Sequence, residues 1–136
     1  MSMKVLIVDD HESNRILVKY LLESEGHACI EAEDGEVAVQ QFVKHKPDFV
    51  LLDIVMPNMD GYEAAIHIKR HAGNNHVPII FLTARHDEAS LLKCLESGGD
   101  DYLPKPINGI ILKAKIKAHA RTQELTQQVN AKNEEL

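Results

Sequence analysis

Five short apolar runs, each bounded by turn residues and each followed by a stretch with helical spacing, decide what this chain can fold into. The runs are "MKVLIV" ending at Val8, "HACIEA" at 27–32, "DFVLL" at 48–52, "IIFLT" at 79–83 and "DYLP" at 101–104. Pro47 and Pro78 announce the third and fourth, and "EDGE" forms a turn after the second. Between them the apolar period changes from that of a strand to that of a helix. Ile16, Leu17, Tyr20 and Leu21 make one helical face, closed by Gly26, and Ala38, Val39, Phe42 and Val43 make another. A third helix is expected from near Gly61, turning Tyr62, Ala65 and Ile66 inward; Leu91, Leu92 and Leu95 mark a fourth, ended by Gly98-Gly99. The last runs from Ile107 to the end of the chain.

Strands alternating with helices imply a parallel sheet with right-handed crossovers. Runs 1, 3 and 4 are almost continuously apolar, as strands covered on both faces must be. Run 2 is mixed, and run 5 ends on Pro104, which cannot donate to a central ladder. Strands 2 and 5 therefore belong at the edges, giving a doubly wound α/β sheet of order 2-1-3-4-5. Ligands of such sheets bind at the carboxyl ends of the strands, by the switch point between strands 1 and 3.

The chain, at 136 residues, is long enough for one domain. It has no apolar stretch of membrane-spanning length and no signal-peptide pattern, so a cytoplasmic location is expected. Cys29 and Cys94 have neither a metal spacing nor a disulfide-framework pattern and read as buried thiols. Residues 1–106 hold 10 Lys+Arg against 18 Asp+Glu, while residues 107–136 hold 5 against 3. A domain so acidic, without a basic aromatic face, is unsuited to nucleic acid and welcomes a cation.

The residues at the strand ends point to where that cation goes. Strand 1 ends in Asp9-Asp10, strand 3 in Asp53, strand 4 in Thr83, and strand 5 leads into Lys105. Carboxylates brought about 4 Å apart repel by roughly 4 kcal/mol at an effective dielectric near 20. A hard divalent cation, Mg²⁺, relieves that conflict, the more so when a phosphate completes its octahedron. Lys105 and Thr83 supply an ammonium and a hydroxyl for phosphoryl oxygens. No G-x-x-x-x-G-K-[ST] or G-x-G-x-x-G cradle for a nucleotide is present. The phosphoryl group is then carried covalently, and Asp53, at the end of the central strand, is the best-placed nucleophile.

The set "VDDH" at 8–11, "LLDIVMPNMDG" at 51–61, "FLTA" at 81–84 and "DDYLPKP" at 100–106 resembles the receiver domain of bacterial two-component response regulators, over about residues 3–120. The resemblance implies a flavodoxin-like (βα)5 fold. It implies that Asp53 is the phosphoacceptor, supplied by a sensor histidine kinase or a histidine phosphotransfer protein. It implies that Asp10, Asp53 and the Val55 backbone carbonyl bind Mg²⁺, or Mn²⁺, with Asp9 assisting through water. Thr83 and Lys105 are implied to bind the phosphoryl oxygens, Thr83 and Tyr102 to form the switch, and Lys105-Pro106 to be cis. Pro104 and Gly99 depart from the residues usual at their positions. Val55 and Arg85 occupy positions that influence phosphoryl lifetime; an apolar Val55 offers no hydrogen bond to an attacking water, so slow hydrolysis is expected. Phosphorylation would then change the face of helix 4, strand 5 and helix 5.

The domain reading is a receiver at 1–120 and a helical extension at 121–136, a possible coiled-coil linker to a missing output domain. Heptad rows at Ile111, Ala118, Leu125, Lys132 and at Lys115, Thr122, Val129, Leu136 are apolar at five of eight positions. A homodimer, through that helix or through the helix 4–strand 5–helix 5 face, is expected. Taken singly, Asp9-Asp10 suits a helix N-terminus, Thr83 a strand end and Tyr102 an edge strand; the joint arrangement does not reduce to these. His67 and His71, with His76 nearby, lack an H-E-x-x-H frame and read as surface histidines. Two rival functions use similar residues. A haloacid-dehalogenase-type phosphatase places D-x-D after its first strand, and this chain has Asp9-Asp10 there and Val55 two residues after Asp53. A receiver-like interaction module would take no phosphate.

Overall fold

A computed structural model describes residues 2–84 and 87–135, with side chains through residue 122. Five strands alternate with five helices: β1 (Lys4–Val8), α1 (Glu12–Glu23), β2 (Ala28–Ala32), α2 (Gly35–His45), β3 (Phe49–Asp53), α3 (Gly61–Ala72), β4 (Ile79–Thr83), α4 (Glu88–Glu96), β5 (Asp101–Pro104) and α5 (Gly109–Glu135). All pairings are parallel, in the order β2-β1-β3-β4-β5 expected from the apolar runs. The register sets Val8 beside Leu52 and Asp53 beside Leu82, so the strand ends bearing the acids lie at one edge of the sheet. Pro104 sits opposite Thr83 on the edge strand, and the ladder resumes at once with Lys105 N–H donating to the Thr83 carbonyl.

The alternation of side chains along each strand divides the core between the two faces of the sheet. Leu6, Val8, Val50, Leu52, Ile79 and Phe81 pack under Ala38 and Phe42 of α2, Ala64, Ala65 and Ile68 of α3, and Cys94 of α4. Val5, Ile7, Phe49, Leu51, Ile80, Leu82 and Leu103 pack under Val18 and Leu22 of α1 and Leu112, Ile116 and Ala120 of α5. Burying each of the larger aliphatic side chains contributes about 1.5–3 kcal/mol.

The helices differ from the sequence reading in which stripe faces inward. On α1, Ile16, Leu17 and Tyr20 are exposed at 57%, 46% and 72%, while Val18 and Leu22 are buried and Leu21 half-buried. The inward stripe also carries Arg15, whose charge disguised it in sequence. The guanidinium finds partners at the Asp9 carbonyl and Glu31. On α3 the alanines Ala64 and Ala65 lie inward with Ile68, and Ile66 is exposed, because small residues allow close approach to the sheet. On α4, Leu92 and Leu95 are exposed, and Ser90 is buried with its hydroxyl donating to Asp87. Val43 of α2 is likewise exposed.

α5 begins at Gly109, not Ile107, because Asn108 caps it, accepting from the N–H groups of Ile110 and Ile111. It is tied to the sheet by Asp101, which accepts from Lys115 Nζ at 2.9 Å and lies 3.1 Å from His119 Nε2. Burial works to raise the Asp101 pKa, but these hydrogen bonds outweigh it and hold the carboxyl below its ordinary value. At 27 residues α5 is about 40 Å long and outruns the sheet. Ile111 and Ala118 of the heptad rows are exposed, Lys115 is engaged with Asp101, and the side chains of Leu125, Val129, Lys132 and Leu136 lie outside the described residues. Among the described residues, no helix is long and apolar enough to cross a membrane.

Gly99 has a packing reason. A Cβ there would stand 2.8 Å from the Cys94 carbonyl oxygen and 2.5 Å from the Phe81 ring. Gly99→Ala is expected to lower stability by about 1–3 kcal/mol through overpacking, read as a lower urea midpoint at unchanged m-value. A change under about 0.5 kcal/mol would contradict the packing account.

Candidate functional site

The parallel order brings residues from four separate loops to the carboxyl edge of the sheet. Asp9 is 1% exposed at the end of β1, Asp53 is 6% exposed as the last residue of β3, and Thr83 is 4% exposed as the last residue of β4. Asp10, Asp53, Val55, Thr83 and Lys105 line one open cavity of about 500 Å³, which also takes in His11 and Tyr62. Lys105 crosses from the β5 side: its Nζ stands 3.2 Å from Asp9 Oδ2 and 3.1 Å from Asp53 Oδ1. The Lys105-Pro106 peptide bond is cis. Val55 is 74% exposed at the cavity mouth; Arg85 lies outside the described residues. Tyr102, on the edge strand, is 37% exposed.

The loops are held by contacts that fix the acids. The Ile54 N–H donates to Asp53 Oδ1 at 2.9 Å, and the Gly61 N–H donates to the Ile54 carbonyl at 2.8 Å. A Cβ on Gly61 would collide with the Asp53 backbone carbonyl, so only glycine lets α3 start this close to the acid. Asn58, in the left-handed conformation at φ 69°, donates from Nδ2 to Asp34, the residue that also caps α2. In the β1–α1 loop, Arg15 donates to the Asp9 carbonyl at 2.7 Å and to Glu31 at 3.2 Å.

Electrostatics follow from this crowding. Burial, with Asp9 close by, lifts Asp53 from the ordinary 3.8 to about 6, although Lys105 and the Ile54 N–H pull the other way. Burial also works against the charge of Lys105, but Asp53 and Asp9 outweigh it, so the ammonium is held more firmly than an ordinary lysine's. Asp9, Asp10 and Asp53 outnumber the one ammonium, and Asp60 adds a fourth carboxylate to the cavity lining. One ligand atom from each of Asp9, Asp10 and His11 lies within 4.8 Å of the others. A carboxylate surplus of this kind is the donor chemistry that Mg²⁺ takes, and Val55 lines the same cavity. The histidines 67, 71 and 76 form no such group among the described residues.

Two residues at the site escaped the sequence reading. His11 was visible within "VDDH" but carried no signal of its direction; its Nδ1 stands 3.0 Å from Asp10 Oδ1 and 3.5 Å from Asp9 Oδ1. Arg15 had no signal, because its role depends on a backbone carbonyl and on β2.

The raised Asp53 pKa has a stability consequence whose sign is fixed. A carboxyl with a folded-state pKa above its unfolded one stabilises the fold fully below about pH 4, and this contribution is lost as pH rises through about 6. In EDTA, Asp53→Asn is therefore expected to raise the unfolding midpoint at pH 7.5, by up to about 3 kcal/mol of stability. The two chains should converge near pH 4; an equal difference at both pH values would refute the burial account.

Known proteins share this arrangement of sequence and fold. The family model described as "Response regulator receiver domain" matches residues 5–117. The phosphate regulon transcriptional regulatory protein PhoB of Escherichia coli (strain K12) is 38% identical over 121 residues, 89% of this chain and 53% of that protein. The chain thus spans about half the length of such curated relatives. A two-component response regulator from Clostridium difficile superposes with a TM-score of 0.81 at 36% identity, covering 87% of this chain and 95% of that one. The receiver domain of a sensor histidine kinase from Pseudomonas aeruginosa PAO1, with a magnesium ion coordinated in its active-site cleft, gives 0.79 at 30% identity, covering 87% and 97%. On the family match, the strand order and the acid edge of the sheet together, the chain belongs to the response regulator receiver domains of two-component signalling.

Proposed function

We propose that Asp53 accepts a phosphoryl group from a phosphohistidine, on a sensor histidine kinase or a histidine phosphotransfer protein, in a reaction that requires Mg²⁺. The observation that carries this reading is Asp53 itself, a buried carboxylate 3.1 Å from Lys105 at the floor of an open cavity. Its contacts with Lys105 and the Ile54 N–H both fall on Oδ1, and we assign the attack to Oδ2. As the Asp53 oxygen bonds to phosphorus, the phosphorus–nitrogen bond breaks and the histidine nitrogen leaves, taking a proton from solvent. With a pKa of about 6, Asp53 is largely ionised at neutral pH and able to attack.

Asp10, Asp53 and the Val55 carbonyl would hold Mg²⁺, or Mn²⁺, with Asp9 acting through water. The ion supplies charge neutralisation between the carboxylates and the incoming phosphoryl oxygens. Lys105, kept protonated by its two acids, turns to the phosphoryl oxygens as charge develops there, and the Thr83 hydroxyl donates to another. The domain catalyses only its own phosphorylation and dephosphorylation. The exposed, apolar Val55 offers nothing to orient a water, which favours a long-lived phosphoryl group.

Signalling follows from the roughly −1.5 to −2 charge that a phosphoryl group adds. Thr83 moves toward it, and Tyr102 rotates from its exposed edge position into the space released. The α4–β5–α5 face, which carries the exposed Leu92, Leu95, Tyr102 and Ile111, changes with it. A homodimer through that face or through α5, and an output partner or domain at the end of α5, complete the reading, with residues 1–120 as the receiver and 121–136 as the helical extension. Direct nucleic-acid binding by this chain and membrane association form no part of it, and its setting is the cytoplasm.

Intact mass after incubation with acetyl phosphate tests the reading. One phosphoryl group is expected with Mg²⁺, and none in EDTA or in Asp53→Asn. Continuous phosphate release from the donor would indicate a phosphatase instead. No label, with a competent kinase also supplied, would leave an interaction module. Lys105→Ala is expected to slow labelling at least about tenfold at saturating Mg²⁺, as loss of a preorganised cation should.

A further inference from the structure

A second cavity opens at the amino-terminal edge of the sheet, where Met3 leads into β1, and shares no residue with the cavity that holds Asp53. We propose that this cavity, between the end of α1 and residues 116–121 of α5, binds a small amphipathic carboxylate, with its hydrocarbon chain inside and its head group on the cations of α5.

The floor is apolar. Met3, Leu22 of α1, and Ile116 and Ala120 of α5 are all buried and belong to the core layer between these two helices and the sheet. The volume, about 360 Å³, is that of a small-molecule site.

The rim is basic. Lys113, Lys117 and Arg121 follow one another at four-residue spacing, so they lie on one face of α5. Among the described residues, Glu25 alone brings a carboxylate to the lining, and Lys113 Nζ already stands 3.4 Å from it. Lys117 and Arg121 meet no carboxylate among the described residues. His27 adds a donor whose position on the ring is fixed. Its Nδ1 accepts from the Met3 N–H at 3.1 Å, so the proton of the neutral ring is on Nε2. Burial lowers the His27 pKa, which keeps the ring neutral near pH 7.

These two surfaces select the ligand between them. Three cations and an N–H donor against one engaged carboxylate repel a cation and attract an anion. An inorganic anion would leave the apolar floor in contact with water, and a neutral hydrocarbon would leave Lys117 and Arg121 unused. A carboxylate on an aliphatic chain satisfies both. It would also bridge α1 to α5 at the point where α5 leaves the sheet on its way to Glu135.

Calorimetry on the full chain with hexanoate, octanoate and decanoate, each below its aggregation concentration, tests this. One site is expected, with affinity rising up to about fourfold per methylene, the worth of burying each CH₂ group, until the cavity is full. Octanol and octylammonium should bind at least about tenfold more weakly than octanoate. Lys117→Glu combined with Arg121→Glu, at two exposed positions, should weaken octanoate at least about tenfold and leave acetyl phosphate labelling of Asp53 unchanged. Amide NMR signals of Leu22, His27 and Ala120 should shift on binding, while those of Asp53 and Thr83 stay in place. The proposal is overturned if octanoate does not bind at about 10 mM, if octanol binds as tightly, if the double charge reversal leaves affinity unchanged, or if the shifts fall on another face.

Discussion

One ammonium holds the site together. Lys105 Nζ stands about equally close to Asp9 and to Asp53, two carboxylates that are both nearly removed from solvent. Each attraction is on the order of 5 kcal/mol at an effective dielectric near 20, before the cost of burying the charges. Without that cation the two acids would repel one another, and one of them would protonate. With it, the carboxylates still outnumber the ammonium, since Asp10 has no share in Lys105. The site is stable enough to exist alone and acidic enough to attract a divalent ion.

Meeting that constraint requires residues 9, 53 and 105 to converge, and only the parallel, doubly wound order does this. β1 and β3 are neighbours at the centre and deliver Asp9 and Asp53 side by side. β4 and β5 deliver Thr83 and Lys105 from the far side. The rest of the edge makes the loops stiff: Gly61 against the Asp53 carbonyl, Asn58 on the α2 cap, Arg15 on the Asp9 carbonyl. The apolar layers on the two faces of the sheet make such an edge possible, because they fix the strands to which the loops return.

Much of this was legible in the sequence, and the rest was not for identifiable reasons. Near-continuous apolar runs told buried strands from edge strands, and Pro104 marked an edge. The residue after each run then named the site, since strand ends in a parallel sheet share one side. The helix faces were harder. Periodicity shows that a helix has an apolar stripe but not which of two adjacent stripes meets the sheet. On α1 the inward stripe contains Arg15, on α4 it contains Ser90, and on α3 it is built from alanines. In each case a polar or small residue lies inward because of a partner or a close approach that only the fold supplies. His11 is the same lesson at the site: the motif contains it, but only geometry turns its nitrogen toward Asp10.

The central claim is that Asp53 is a buried acid held ready by Lys105 for a divalent cation. Carbon-13 NMR titration of the Asp53 carboxyl, with and without Mg²⁺, measures this at the atom concerned. The account predicts a pKa of about 6 in EDTA and a fall well below that when Mg²⁺ is bound. An ordinary value near 3.8 in EDTA, unmoved by Mg²⁺, would contradict both the burial of the acid and its service to a cation.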